Sequence, residues 1–563
     1  MPDGRVRRSA LHDHRSGAGL QVSVLDALLV GVALIAALWW GVSRHRRPAV
    51  LELLSLGATL LGILTLALEG MRWQLVPWQV LAVAVAAATA LRRWRPGRSR
   101  RWRRVIGRSL LAVGLAAGGV ALLTAFVPAL PEPSGPHEVG SEIFRWTDTR
   151  RPETLTATAS DRRQVIAQAW YPSDAGEGPA VPYVEAQDRL PGAIAGMPAF
   201  MFGSFGGVAT HATLGSPVSA ARKMWPVLLF SPGLSIPREM YTALCADLAS
   251  RGYVVVALSA PYESGVSVLA GGRVVGQTTH PDVMGPPPHP ALERLIEIRT
   301  ADSRFALDQL SRLAQLEPNS PLAGHLDLEH VGIAGHSMGG ATAVQVMAAD
   351  RRFKVGVNLD GKLFGREPDA RLDRPFLWIQ SGAAPAAEYV RSRDRLLGGL
   401  RDGGSLVTVR GSTHMNFTDG PSYLTALGRR LAGAATTGSI SLADMTATMG
   451  DTITAFVGPA LGVEGAPGLN DVVAAHSRLR LDRRIATKTA TAAALAATSL
   501  RVPGVDHERP RLLGRLRFAP STIGQGDRTC SDRERTGRSR QRRMTNLHMC
   551  GWSSDSRSGV LSG

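Results

Sequence analysis

The sequence is poor in cysteine and lysine. Its 563 residues include three cysteines (Cys245, Cys530, Cys550) and four lysines (Lys223, Lys354, Lys362, Lys488). Three cysteines exclude a disulfide-rich scaffold, and no pair has the spacing of a metal site. The basic side chains are therefore almost all arginine, a bias that GC-rich codon usage explains as well as binding does. The whole chain carries a formal charge of +18. Taken alone, that balance suggests a nucleic-acid or anionic-membrane partner. Its distribution argues otherwise. Residues 1–136 hold 17 arginines and 6 acids, and residues 463–563 hold 18 basic and 9 acidic residues. Residues 137–462 hold 29 basic and 31 acidic residues. The middle is near neutral, so no nucleic-acid partner is expected.

What the N-terminal end also contains is apolar sequence. Four stretches, about Val22–Trp40, Leu51–Leu68, Leu75–Leu91 and Ser109–Phe126, are each 17 to 19 residues long. At 1.5 Å per residue they approach the ~30 Å of a hydrocarbon core. Asp26, Glu52 and Glu69 lie near their ends. A carboxylate at mid-bilayer costs roughly 2.5–3.5 kcal/mol, so end positions suit a span. Trp39, Trp40, Trp73, Trp78 and Trp94 sit at or near the edges, where amphipathic rings favour the interface. Residues 1–130 are thus expected to be a membrane region with four transmembrane helices. Nine arginines in the loop Arg92–Arg108 place that loop in the cytoplasm and everything after Pro128 outside. The four arginines of the N-terminal tail run against that orientation. A multi-pass protein of the cell membrane with an extracytoplasmic catalytic domain is expected.

Pro131–Pro136 reads as a linker. Short strands and helices then alternate through 137–462: strands at Gln164–Tyr171, Val227–Ser231, Tyr253–Ala260, Val331–Ala334, Phe353–Leu359, Pro375–Gln380 and Leu406–Val409, helices at Glu239–Arg251, Leu292–Leu313 and Met445–Val457. This is an α/β pattern with a mainly parallel sheet. Residues 463–563 read as a basic, disordered tail.

Within that frame, Gly335-His336-Ser337-Met338-Gly339 matches G-x-S-x-G between an apolar strand and a helix start. A sharp strand-to-helix turn exposes the hydroxyl, the glycines leave room, and the helix N-terminus faces the forming oxyanion. Ser337 is the candidate nucleophile. The α/β-hydrolase order requires an acid and then a histidine. Asp360 closes the strand Phe353–Leu359 and is the candidate acid; Asp369, Asp373, Asp394 and Asp402 lie in loop or helix contexts. His414 follows Leu406–Val409 and is the candidate general base. Ser231-Pro232-Gly233-Leu234 suits a second oxyanion turn, with the N–H groups of Leu234 and Met338 as donors. No cofactor is expected for this chemistry. Gly192–Gly207 reads either as an apolar lid or substrate rim carrying Phe200, Phe202 and Phe205, or as a loop that packs in the core.

These residues resemble a known family. The runs Phe230–Leu234, Asp247–Tyr253, Gly335–Gly340, Leu359–Gly361 and Gly411–Asp419 are similar to the plasma and type II platelet-activating factor acetylhydrolases and their bacterial relatives. The resemblance covers roughly 137–462. It implies an α/β-hydrolase fold and a metal-independent serine esterase acting on a lipid or small ester. It implies short-chain acyl esters, phospholipids among them, and it implies Ser337, Asp360 and His414 as the triad, with Leu234 and Met338 as oxyanion donors. The chain departs from the family's pattern twice: Pro232 stands where a histidine is usual, and Met338 where an aromatic is frequent. Lipases and polyester hydrolases share the GHSMGG run, so a lipase-like esterase is the alternative. From another class, a non-catalytic membrane sensor or transport-associated protein would keep the outer domain without the chemistry.

Overall fold

A computed structural model describes residues 23–42, 48–94 and 101–485, apart from short breaks at 126, 175, 177, 195–196, 204, 283–287, 365–371 and 464. The first 22 residues and the tail beyond 485 lie outside the described residues, as does Asp369.

Four helices come first: α1 (Val24–Val42), α2 (Pro48–Glu69), α3 (Val76–Trp94) and α4 (Arg101–Ala121). Leu29, Ala33, Ala36, Ala37 and Ala58 fill their interior, while Leu53, Leu60 and Ile63 face outward. Small residues let the backbones approach. A Cβ on Gly118 would stand 2.7 Å from the Trp78 ring, so only glycine admits α4 there. α1 begins, α3 begins and α4 ends at one end of the bundle. Arg72, before α3, pairs with buried Asp26 in the first turn of α1, and Gln74 Nε2 donates to the carbonyl of Ala125 at 2.8 Å. The expectation of four spans is corrected. Among the described residues three helices are long and apolar enough to cross a membrane. The apolar part of the fourth is the shorter Val105–Ala121, because α4 opens with Arg101, Arg103 and Arg104 and carries Arg108.

The Pro-rich segment then lies against the next domain: the Ser134 N–H and hydroxyl both donate to Asp247 Oδ1, at 2.9 and 2.7 Å. That domain is built on ten strands: β1 (Glu138–Pro152), β2 (Arg162–Ser173), β3 (Thr213–Leu214), β4 (Trp225–Ser231), β5 (Val254–Leu258), β6 (Leu326–His336), β7 (Phe353–Leu359), β8 (Phe376–Ser381), β9 (Gly404–Val409) and β10 (Leu479–Ile485). Their spatial order is β10-β9-β8-β7-β6-β4-β5-β2-β1-β3. From β5 through β9 neighbours run parallel, while β2 and β10 join antiparallel. The sheet is therefore mixed and mainly parallel.

Alternation along the central strands sends side chains to two cores. Leu228, Phe230, Val255 and Ala257 pack under α5 (Thr242–Ser250) and the helix Leu442–Val457. Val227, Leu229, Val254 and Val256 pack under α6 (Pro290–Leu310) and α7 (Met338–Ala349). Burial on both faces explains why these strands read as unbroken apolar runs. β1 was not expected from the sequence. It lies near the sheet's edge with one face partly solvated, and its polar positions hide the strand signal. The domain also passes the expected boundary at 462. Helix Leu469–Ala475 and strand β10 belong to it, because β10 pairs with β9 while most of its arginines stay exposed.

Candidate active site

β6 ends at His336 and α7 begins at Met338. Between them Ser337 takes φ 56° and ψ −121°, a conformation that L residues rarely adopt. The motif's glycines are steric requirements. A Cβ on Gly335 would stand 2.1 Å from the Gly339 carbonyl oxygen, and one on Gly339 would stand 1.9 Å from that of Ser231. The Ser337 N–H donates to Leu359 O at 2.9 Å, which ties the turn to β7.

Asp360 follows β7 and also has positive φ, 52°. The Asn358 side chain closes this turn, accepting from the Gly361 N–H at 2.6 Å. Asp360 Oδ1 accepts from the Ser381 N–H at 2.8 Å, and Oδ2 lies 2.8 Å from His414 Nδ1. A carboxylate only accepts, so Nδ1 carries the proton and Nε2 is bare. That Nε2 lies 3.0 Å from Ser337 Oγ. His414 opens a short 3-10 turn fixed by Thr413 and Asn416, with the Thr413 N–H donating to Asn416 Oδ1 at 2.7 Å. The structure thus brings Ser337, His414 and Asp360 into one line from the loops after β6, β9 and β7. Asp373 is engaged by Arg351 and Arg374, and Asp394 by Arg393. The His414 side chain is 45% exposed, so water reaches it.

The turn after β4 comes alongside. A Cβ on Gly233 would be 3.3 Å from His336 Nδ1. Buried Arg299 on α6 donates to Pro232 O at 2.5 Å and to Gly233 O at 3.4 Å, while its Nε pairs with fully buried Glu263 at 2.8 Å. The Met338 N–H is the first of α7 and has no partner within the helix. Among the described residues the Leu234 N–H makes no hydrogen bond. Leu234, Leu363 and Phe364 pack with buried Leu292, Leu295 and Met338 into one apolar cluster at the turn.

The aromatic segment divides. Phe202 and Phe205 are buried with Leu130, Tyr183 and Val208, and Phe205 packs on Tyr423 with ring centroids 4.8 Å apart. Both are core residues: Phe202 packs edge-on against Phe205, and Phe205 against Tyr183 and Tyr423. Phe200 is exposed and meets Trp73 edge-to-face at 5.9 Å.

Sequence reasoning missed Arg299, Glu263, Tyr241 and Asn358, none of which has a diagnostic spacing to the motif. It also missed Asp419. Asp419 is buried at the start of α5, accepts from the Tyr183 hydroxyl at 3.1 Å, and has its carboxyl pushed up by burial to about 7. Among the described residues no group of three His, Cys, Asp or Glu side chains is placed to hold a metal ion.

Comparisons with known proteins show the family. The family model described as platelet-activating factor acetylhydrolase, isoform II, matches residues 128–268 and 292–447. A platelet-activating factor acetylhydrolase of Cavia porcellus is 26% identical over 331 residues, 53% of this chain and 71% of that protein. A probable 1-alkyl-2-acetylglycerophosphocholine esterase of Arthroderma benhamiae is 27% identical over 272 residues, 45% of this chain and 65% of that protein. Among solved structures, a ferulic acid esterase from Streptomyces cinnamoneus superposes with a TM-score of 0.53 at 29% identity, covering 63% of this chain and 99% of the esterase.

Proposed function

Because the chain belongs to the platelet-activating factor acetylhydrolase isoform II family and is accordingly a serine ester hydrolase, we propose that Ser337, His414 and Asp360 are its catalytic triad and that it cleaves short-chain acyl esters, including those of phospholipids. The observation that carries this reading is the continuous hydrogen-bonded line from Ser337 Oγ through His414 to Asp360.

The bare His414 Nε2 takes the proton of Ser337 as Oγ attacks the ester carbonyl. Asp360 keeps the imidazole in the required tautomer and stabilises the imidazolium. The N–H groups of Leu234 and Met338 receive the oxyanion, and losing one such donor costs roughly 2.7–4 kcal/mol of transition-state stabilisation. His414 returns the proton to the leaving alcohol. It then activates water, admitted by its exposure, to release the acid. The apolar cluster of Leu234, Leu363 and Phe364 lies at the turn that would face the acyl group.

The near-neutral charge of 137–462 favours an uncharged or zwitterionic ester. A substrate panel of phospholipid and simple esters tests that choice. Labelling by a fluorophosphonate probe, lost in Ser337→Ala, separates this reading from a non-catalytic sensor.

The catalytic domain is further proposed to lie on the extracytoplasmic side. It follows the bundle end that holds Arg72 and Ala125, whereas α3 ends and α4 begins at the opposite end, where the sequence is rich in arginine. A phosphatase reporter fused after Ser134 is expected to be active; a silent fusion reverses the orientation.

A further inference from the structure

A buried hydrogen-bond chain joins the turn after β4 to the His414 loop, and it passes through the residue just before Ser337. His336 is fully buried. Its Nε2 lies 3.1 Å from the backbone carbonyl oxygen of His414. A carbonyl only accepts, so Nε2 carries the proton and Nδ1 is bare. Nδ1 therefore accepts from the Tyr241 hydroxyl, 2.8 Å away. The Tyr241 oxygen in turn accepts the Gly233 N–H at 2.8 Å. Each donor direction follows from the one before it. Burial and the neighbouring His414 push the His336 imidazole well below its usual pKa, so the neutral form that this order requires persists. The His336 ring also packs on His414 at 4.5 Å and lies nearly parallel to Phe417 at 5.8 Å.

The two ends of the chain bear on different parts of the reaction. Gly233 precedes Leu234, whose N–H meets the oxyanion, and His414 moves the proton. Pro232 has no N–H, so Gly233 provides the donor that anchors the turn from its amide side, opposite the Arg299 clamp on its carbonyls.

We propose that His336 and Tyr241 are positioning residues that set the oxyanion turn and the general base in one fixed relation. Neither touches the reacting atoms. They act by keeping the Leu234 N–H and His414 Nε2 in place together, before substrate arrives. Preorganisation of this kind shows in the chemical step rather than in ground-state binding. The inference rests on the reading of Ser337, His414 and Leu234 given above.

The test uses the full chain in detergent micelles. It measures kcat and KM on a short-chain nitrophenyl ester and the second-order rate of fluorophosphonate labelling at Ser337. Tyr241→Phe keeps the ring that packs on Phe230 and removes the hydroxyl. It is expected to lower kcat by about 10–100-fold, to leave KM within about twofold, and to slow labelling in proportion. His336→Leu is expected to lose at least as much. His336→Gln, whose amide offers both a donor and an acceptor, is expected to recover most of the rate. The double variant Tyr241→Phe/His336→Leu should be no worse than the worse single one, since both break the same chain. Wild-type kcat and labelling rate in Tyr241→Phe overturn the proposal, as does a loss confined to KM or to thermal stability. Absence of labelling at Ser337 in the unaltered protein overturns the underlying triad reading instead.

Discussion

The N-terminal bundle and the hydrolase domain place their polar groups in opposite ways. The bundle has an interior of alanine and leucine and an outward face of Leu53, Leu60 and Ile63, with the pair Asp26–Arg72 set at a helix end. The hydrolase domain carries ions inside. Arg163 is buried between Glu153 and Asp302, and Arg299 is buried against Glu263. An apolar outer face of this kind suits a hydrocarbon surrounding. Buried ions carry a large desolvation cost and rarely add net stability. In the hydrolase domain they do something else: Arg299 orients the turn beside Ser337. The difference teaches that the bundle is organised by its apolar surfaces and the hydrolase interior by the polar groups that hold its turns.

The largest effect that bears on this contrast is chemical. Ser337→Ala is expected to reduce turnover of a nitrophenyl ester by about 10⁴-fold or more with the fold intact, as measured by initial rates and circular dichroism. Comparable residual turnover would mean that the hydrolase interior serves stability alone. Next, Arg163→Met leaves Glu153 buried without its cation and Asp302 with Arg151 alone. It is expected to cost about 3–5 kcal/mol of stability, read from denaturant unfolding in micelles. Asp26→Asn, at the edge of the bundle, should cost less than half of that in the same assay. Equal costs would erase the distinction between the two regions. The last effect concerns Asp419 and is read as a pH dependence. Its folded carboxyl titrates near 7 and its unfolded one near 3.8, so between those values the folded state holds the extra proton. Stability therefore falls as pH rises from about 4 to about 7, then levels. Asp419→Asn is expected to flatten that slope in melting curves.

Much of the site was legible because backbone geometry demands particular residues. Gly335 and Gly339 are needed where strand and helix backbones nearly touch, so the elbow leaves a local signature. The order Ser337, Asp360, His414 follows from the strand order of the sheet. The central strands were legible because burial on both faces makes them continuously apolar. β1 and β10 were not, since their exposed faces carry the charges of an edge. Tyr241 and Arg299 left no trace in sequence spacing either. They reach Gly233 and Pro232 from separate elements, and only the packing of α5 and α6 against the sheet brings them together. The fourth apolar stretch was over-read because its apolar residues follow a helix start rich in arginine.

The most direct measurement of the central claim is the location of the acyl-enzyme. The full chain is mixed with a slowly deacylating ester, quenched early, and mapped by peptide mass spectrometry. The account predicts one acyl group per chain on Ser337, formed far more slowly in His414→Ala. An acyl group on another residue, or turnover with no acyl intermediate, would contradict it.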